Sequence, residues 1–368
     1  MISVYIRSEL LSPSSYYRIL QYTNAIDEIF VINQLFPYSL YNIYLKSKRL
    51  KAFRIIQVFC YIVAYFNSLF FLLRDWVNKP DYIIISREII PRHMLWPLGE
   101  ILKKIHFKSQ IIWDFDDHIL LGKEISSQEF NLLSKFSKTI VVTNNYLKNT
   151  IDKQYHDKVI LMPTTDGDCV NRNIDDIINQ RIKNFKGTIK LIWVATAANI
   201  PHLLDIIPIL ETIAKDLQEK KNKDKQKLVL NIVSNSFPLL HCKYLIINNI
   251  KWSRQKAIEV MIDSHIGIMP LKDNEYTKGK GGFKLIQYMS VGLPVIASAV
   301  GFNNEIVDKN VGQLISHPNN LDSWEKAILT IIATKETYTT FSKAAYQKWL
   351  DCFSYEKNLN KWKSLLFN

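Results

Sequence analysis

Short apolar runs of strand length, each followed by a longer helical stretch, recur along this chain and constrain its fold more than any other feature. In the first half the runs are "ISVYI", "IFVI", "DYIIIS", "IIWDF", "TIVVT" and "VILMP". Each is too short to be a helix, and such spacing predicts a parallel sheet with helices on both faces. After Pro163 the polar segment "TTDGDCVNRNIDDIINQRIKNFKG" reads as a connection. The alternation then restarts with "IKLIWVA", "LVLNIVS", "HIGIMPL", "LPVIASAV" and "GQLIS", and the tail is helical without a strand signal. At 368 residues the chain exceeds one ordinary core, so two doubly wound α/β domains are expected. Their boundaries are placed at 1–165 and 189–345, with a linker at 166–188 and a closing helical segment at 346–368.

A hydrophobic share of 48% and a charged share of 22% fit a folded globular protein. The formal charge of +13 suits anionic partners: nucleic acid, an anionic membrane surface or phosphorylated substrates. No helix-turn-helix, zinc-ligand spacing or RNP-like strand supports nucleic acid, which is therefore not expected. The mixed-sign run Lys215 to Lys227 reads as a solvated loop. Cys60, Cys169, Cys242 and Cys352 are far apart and form no CxxC pair, which fits a reducing cytosol rather than a zinc site or disulfide framework. The opening residues have no apolar core of signal-peptide type, so a cytoplasmic location is expected. Ile55 to Leu73 is an uncharged stretch of 19 residues, preceded by the basic "YLKSKRLKAFR". A buried core helix is its first reading, a helix resting on anionic lipid the second, and a membrane span the third.

Glycine is scarce, with 11 residues in all, yet Gly279, Gly281 and Gly282 cluster among Lys278, Lys280 and Lys284 in "KGKGGFKLIQYMSVGLPVIAS". Glycines let backbone amides approach an anion closely, lysines add full charges, and a helix N-terminus adds a partial one. The loop therefore reads as a phosphate cradle or, alternatively, as a plain turn with solvated lysines. It has neither Walker nor dinucleotide GxGxxG spacing. In "DFDD", Asp114, Asp116 and Asp117 end a strand-like run, either as functional carboxylates or as caps of the following helix.

The segment "HIGIMPLKDNEYTKGKGGFKLIQYMSVGLPVIASAVGFNNEIV" closely resembles the donor-binding half of GT-B glycosyltransferases, specifically the large retaining group counted as family 4. "DFDD" and "GKGGFKLIQYM" are similar to a subgroup acting in bacterial surface polysaccharide assembly, and "FSYEKNLNKWKSLL" looks like the family's closing helix. The resemblance implies an α/β fold of two facing Rossmann-like domains, with a C-terminal helix crossing back to the first. It implies transfer of a sugar, with retention, from a nucleotide-diphosphate sugar to a glycan or polyprenyl-diphosphate-linked acceptor. The acceptor side falls to the first domain and the nucleotide sugar to the second. The protein would be peripheral at the inner face of the plasma membrane.

Residue by residue, the resemblance assigns the donor diphosphate to Lys280, Lys284, Gly281, Gly282 and Thr196. Gln287 would hold the ribose, and Glu305 would bind donor or cap a helix. The family's pair of glutamates, eight positions apart, is replaced here by Gly279 and Gln287. Asp116 and Asp117 are the expected catalytic carboxylates, with Arg18, Arg87 and Asp114 on the acceptor side. No metal or other cofactor is expected. The rival readings are a metal-dependent enzyme using "DFD" as a DxD site and a non-catalytic sugar-nucleotide binder.

Overall fold

The computed structural model describes the chain apart from residues 10, 48–52, 170–171, 184, 186, 220–224 and 368. Lys48, Arg49 and Lys51 of the basic stretch, and the centre of the Lys215 to Lys227 loop, lie outside the described residues. Contacts divide the chain into two compact units. The first holds Met1–Thr164, Gly279–Gly281 and the residues from Glu356 onward; the second holds Thr165–Lys278 and Gly282–Tyr355.

The first unit is built on six parallel strands: β1 (Ile2–Ile6), β2 (Phe30–Gln34), β3 (Tyr82–Ser86), β4 (Gln110–Phe115), β5 (Thr139–Val142) and β6 (Val159–Leu161). Their order is β2-β1-β3-β4-β5-β6. The second unit has β7 (Thr188–Val194), β8 (Lys227–Ser234), β9 (Ile246–Lys251), β10 (Ile266–Met269), β11 (Val295–Ser298) and β12 (Gly312–Ile315). They are ordered β12-β11-β10-β7-β8-β9, again all parallel. Both are doubly wound α/β folds of the expected class. All eleven apolar runs are strands; β9 went unread because "IINNIK" is an edge strand whose Asn248 and Asn249 face solvent.

Residues 166–188, expected as a linker, are largely part of the second unit. The helix Ile174–Lys183 buries Arg181, whose guanidinium donates to the carbonyls of Met261, Ile262, Val291 and Gly292. A polar sequence hides this packing because the buried surface is a cation capping open carbonyls. Residues 346–354 also stay with the second unit; the helix Tyr355–Phe367 packs in the first from Glu356 onward. There Trp362 Nε1 donates to Arg18 O at 3.0 Å and Asn358 Nδ2 to Pro163 O at 2.6 Å.

The Phe53–Asn78 helix contains the uncharged stretch, and the expectation of a core helix fails for it. Only 22% of its most apolar 18 residues is buried. Cys60, Ala64, Ser68, Leu72 and Asp75 form its inner face, and the outer face has no cover among the described residues.

Behind β3, Glu129 fixes the turn that leads out of the sheet. Its Oε1 accepts from Ile89 N at 2.6 Å, and it is fully buried. Burial pushes its carboxyl up to about 8. Because the folded state holds this proton more tightly than the unfolded chain, stability falls as pH rises from about 4.5 to about 8. Glu129→Gln should flatten that decline by up to about 1.4 kcal/mol per pH unit. Denaturant unfolding of both proteins at pH 5 and pH 8 checks this; parallel pH profiles would refute it.

Candidate functional site

In the second unit the strand order reverses between β7 and β10, the place where open α/β sheets take ligands at their carboxyl edge. Thr196 stands there, exposed, just beyond β7, and its Oγ1 accepts from Asn199 Nδ2 at 3.1 Å. The loop after β10 is tied down at its root: Leu271 N donates to Ser298 Oγ at 2.9 Å. The helix Phe283–Met289 packs close under β10 because Gly267 has no side chain; a Cβ there would overlap the Tyr288 ring. The Tyr288 hydroxyl in turn accepts from Val194 N at 2.9 Å, fixing the end of β7. Part of the family-like motif is thus packing: Gly267 and Tyr288 set the reversal point.

Gly282 begins this helix at φ 61°, a left-handed conformation in which a Cβ would also meet Ile306. One turn on, Lys284 Nζ donates to Gln287 Oε1 at 2.9 Å. Gln287 is 2% exposed, and its Nε2 donates to buried Asp166. Burial, reinforced by Asp168, raises the Asp166 carboxyl. Gln287, expected to hold a ribose, makes one bond at each end of its amide within the unit. Its role here is to fix Lys284. Asp166 went unread because "TTDGD" looked like a connection. Glu305 is exposed in the short helix Asn303–Ile306, as a free-standing carboxylate would need to be.

The tripeptide Gly279–Gly281 groups with the first unit. A Cβ on Gly279 would stand 2.9 Å from His118 Cβ, and one on Gly281 3.1 Å from Thr143 Cγ2. Close backbone approach accounts for these two glycines. Lys280 is half-buried, and its carbonyl accepts from Asn144 Nδ2 at 3.3 Å.

In the first unit the reversal lies between β1 and β3, and the predicted acceptor-side residues gather at that edge. Arg18 is 3% exposed. It grips fully buried Asp114 through Nε and Nη2, at 2.8 and 2.6 Å, while Nη1 donates to Met162 O and Thr164 Oγ1, each at 2.9 Å. Burial raises the Asp114 carboxyl against the opposing pull of Arg18. Both residues had been expected to face a substrate; the structure spends them on each other and on the end of β6. At 3% exposure, with every nitrogen already bonded, this guanidinium is set as a structural cross-link.

Asp116, Asp117 and Arg87 form the exposed part of the cluster. Arg87 adopts φ 69°, which turns its side chain across the sheet edge. It donates to Asp116 Oδ1 at 2.6 Å, Asp117 Oδ2 at 2.7 Å and Glu124 Oε2 at 2.9 Å. Ser14 Oγ adds a bond of 2.7 Å to Asp116. Burial works against the Asp116 charge, but Arg87, Arg18 and the Ser14 hydroxyl outweigh it and hold the carboxyl below its usual range. Asp117 is the more exposed, at 28% of its side chain. Burial raises its carboxyl and nearby Asp116 adds to this, with Arg87 opposing. Arg7 completes the cluster, donating to Glu88 Oε1 at 2.7 Å and Glu124 Oε2 at 2.8 Å. Arg7, Glu88 and Glu124 are scattered in sequence and gave no local motif. Among the described residues no three His, Cys, Asp or Glu side chains converge as a metal site.

Residues 213–348 match the family model described as "Glycosyl transferases group 1", well under half of the chain. Among solved structures, a glycosyltransferase from Rickettsia africae ESF-5 is similar at a TM-score of 0.63 and 13% identity, over 99% of this chain and 97% of that one. Anabaena Alr3699/HepE in complex with UDP-glucose is similar at 0.62 and 10% identity, over 99% and 98%. TarM is similar at 0.55 and 14% identity; the likeness covers 82% of this chain but 58% of TarM. A search of curated proteins found no match. At these identities the structural likeness speaks for the fold, and the matched domain speaks for the activity. A group 1 glycosyl transferase domain set in two doubly wound units makes this chain a glycosyltransferase of GT-B fold.

Proposed function

We propose that the enzyme moves a sugar, with retention, from a nucleoside-diphosphate sugar to a glycan or polyprenyl-diphosphate-linked acceptor in bacterial surface polysaccharide synthesis. The observation that supports the donor half is the chain Asp166–Gln287–Lys284, which holds the Lys284 ammonium in the first turn of the helix Phe283–Met289. HepE was solved with UDP and with UDP-glucose, so uridine is the first base to test.

In the proposed step the bond from the anomeric carbon to the diphosphate oxygen breaks as the acceptor oxygen bonds to the same face. The acceptor proton passes to a leaving-phosphate oxygen. Lys284, Lys280 and loop amides stabilise the charge that builds on the diphosphate. Thr196 stands at the phosphate edge, and Glu305 is the exposed carboxylate assigned to the sugar. In the first unit Asp117 is the carboxylate assigned to the acceptor hydroxyl. Asp116, held ionised by Arg87, positions the cluster and contributes its field.

The reaction is proposed to be metal-independent. A DxD reading would use Asp114 and Asp116, and both carboxylates are already bonded to arginine. Cytoplasmic placement at the inner membrane face belongs to the same proposal.

Calorimetry with UDP, GDP, dTDP and CMP, with and without Mg²⁺, should show one nucleotide binding equally well in both conditions. Lys284→Ala should weaken that binding about 10- to 100-fold, the range of a charge-assisted hydrogen bond. Unchanged affinity would remove Lys284 from the donor site. Asp117→Asn should lower turnover by about 100-fold or more while leaving nucleotide affinity intact. Full activity in that variant would end its catalytic assignment. Arg18→Ala should act differently, costing about 3–5 kcal/mol of stability by leaving Asp114 buried and unpaired. Chemical denaturation measures this, and a loss below about 1 kcal/mol would contradict the structural role.

A further inference from the structure

The outer face of the Phe53–Asn78 helix carries Ile55, Phe59, Ile62, Phe66, Phe70 and Val77 at helical spacing, each at least 45% exposed. Soluble monomers rarely leave so long an apolar stripe in water. The loop beside it extends the stripe. Tyr65 Oη donates to Trp96 O at 2.9 Å, and the Trp96 side chain projects at 81% exposure. Cations border the stripe. Arg54 and Lys46 are exposed at its leading end, and Lys104 Nζ stands 5.4 Å from the Trp76 ring centre at its far end. The helix has one acidic residue, Asp75, and it is buried.

We infer that this face docks on an anionic lipid bilayer, with the helix lying in the plane of the interface. Apolar and aromatic side chains enter the acyl boundary, and the flanking arginine and lysines meet the headgroup charge. The inner face keeps the helix from spanning. Ser68 Oγ donates to Ile89 O at 2.6 Å and Asn67 Nδ2 to Leu35 O at 3.0 Å. Asp75 accepts from Ser3 and Tyr5 of β1, and Arg74 donates to Asn33 of β2. Insertion across a membrane would strip these bonds from the sheet and carry Asp75 and Arg74 into hydrocarbon. A second copy fits less well, because a two-fold contact through this face would bring the two cationic borders together.

The inference deepens the lipid-linked-acceptor reading and takes its purpose from it: an enzyme seated this way meets its acceptor at the bilayer surface. Its test does not depend on transfer. The full chain is sedimented with phosphatidylglycerol-containing vesicles and with pure phosphatidylcholine vesicles. Binding to the anionic vesicles, weakened by salt, is expected. Phe59→Ser, Phe66→Ser and Phe70→Ser combined should lower that partition tenfold or more. Arg54→Glu and Lys104→Glu should each lower it about fivefold or more. Circular dichroism and UDP binding should be unchanged in these surface variants. Wild-type protein that ignores anionic vesicles, or a triple serine variant that binds as well as wild type, overturns the inference. Resistance to alkaline carbonate extraction overturns the in-plane placement in favour of a span. A dimer that only the serine variant abolishes gives the face to a second copy. Vesicle binding without nucleotide binding would sink the transferase reading alone, and the reverse would sink this inference alone.

Discussion

The buried contact between Arg18 and Asp114 is the constraint on which the first unit depends. It joins three places distant in sequence: the segment after β1, the end of β4 and, through Met162 and Thr164, the end of β6. The closing helix is fastened to the same point, since Trp362 donates to the Arg18 carbonyl. A buried ion pair is a poor source of net stability, because desolvation offsets most of its attraction. Its value here is registry. With Arg18 fixed, the β1/β3 edge is fixed, and Asp116 and Asp117 follow Asp114 at a set distance from Arg87.

Around that pair the charges are unevenly matched. Asp114, Asp116, Asp117, Glu88 and Glu124 face Arg7, Arg18 and Arg87. Five carboxylates and three guanidiniums cannot all be satisfied as ions in a buried site. The imbalance separates the acids: Asp116 and Glu124, each bonded to Arg87, fall below the usual range. Burial raises Glu88 and Asp117. Two adjacent aspartates thereby acquire different chemistry, one an anchored anion and the other a more exposed group with a looser hold on its charge.

Much of the fold was legible because parallel strands buried on both faces leave continuous apolar runs. "VVT", "IIWDF" and "LVLNIVS" admit few other readings. What escaped was whatever substitutes polar bonding for apolar burial. β9 is an edge strand with exposed asparagines; the Ile174–Lys183 helix buries an arginine among carbonyls instead of a leucine among leucines. The site divides in the same way. "DFDD" announced its carboxylates, and the lysine–glycine loop announced its charge. Sequence could not say that Arg18 and Gln287 would be consumed internally, since their partners, Asp114 and Asp166, lie 96 and 121 residues away. The long helix misled because length and apolarity are the same for a core helix as for a surface one; only the cover over its outer face distinguishes them.

The two kinds of cation divide the labour in a way their chemistry explains. Arg18 and Arg181 are buried, Arg7 and Arg87 largely so, and each presents its planar fork to carboxylates or carbonyls at more than one point. A guanidinium is weakly hydrated and stays charged, so it survives burial as a structural cross-link. Lys280 and Lys284 are half-buried, each ammonium a compact charge on a flexible stem. A lysine at a ligand edge can keep water until a diphosphate replaces it, whereas an arginine bound to three or four partners cannot change them without disturbing its surroundings. Arg7, Arg18 and Arg87 are outnumbered by the five carboxylates around them, so the excess of +13 lies with the other cations. Lys284, steadied by Gln287 and through it by Asp166, is held in the first turn of the helix Phe283–Met289.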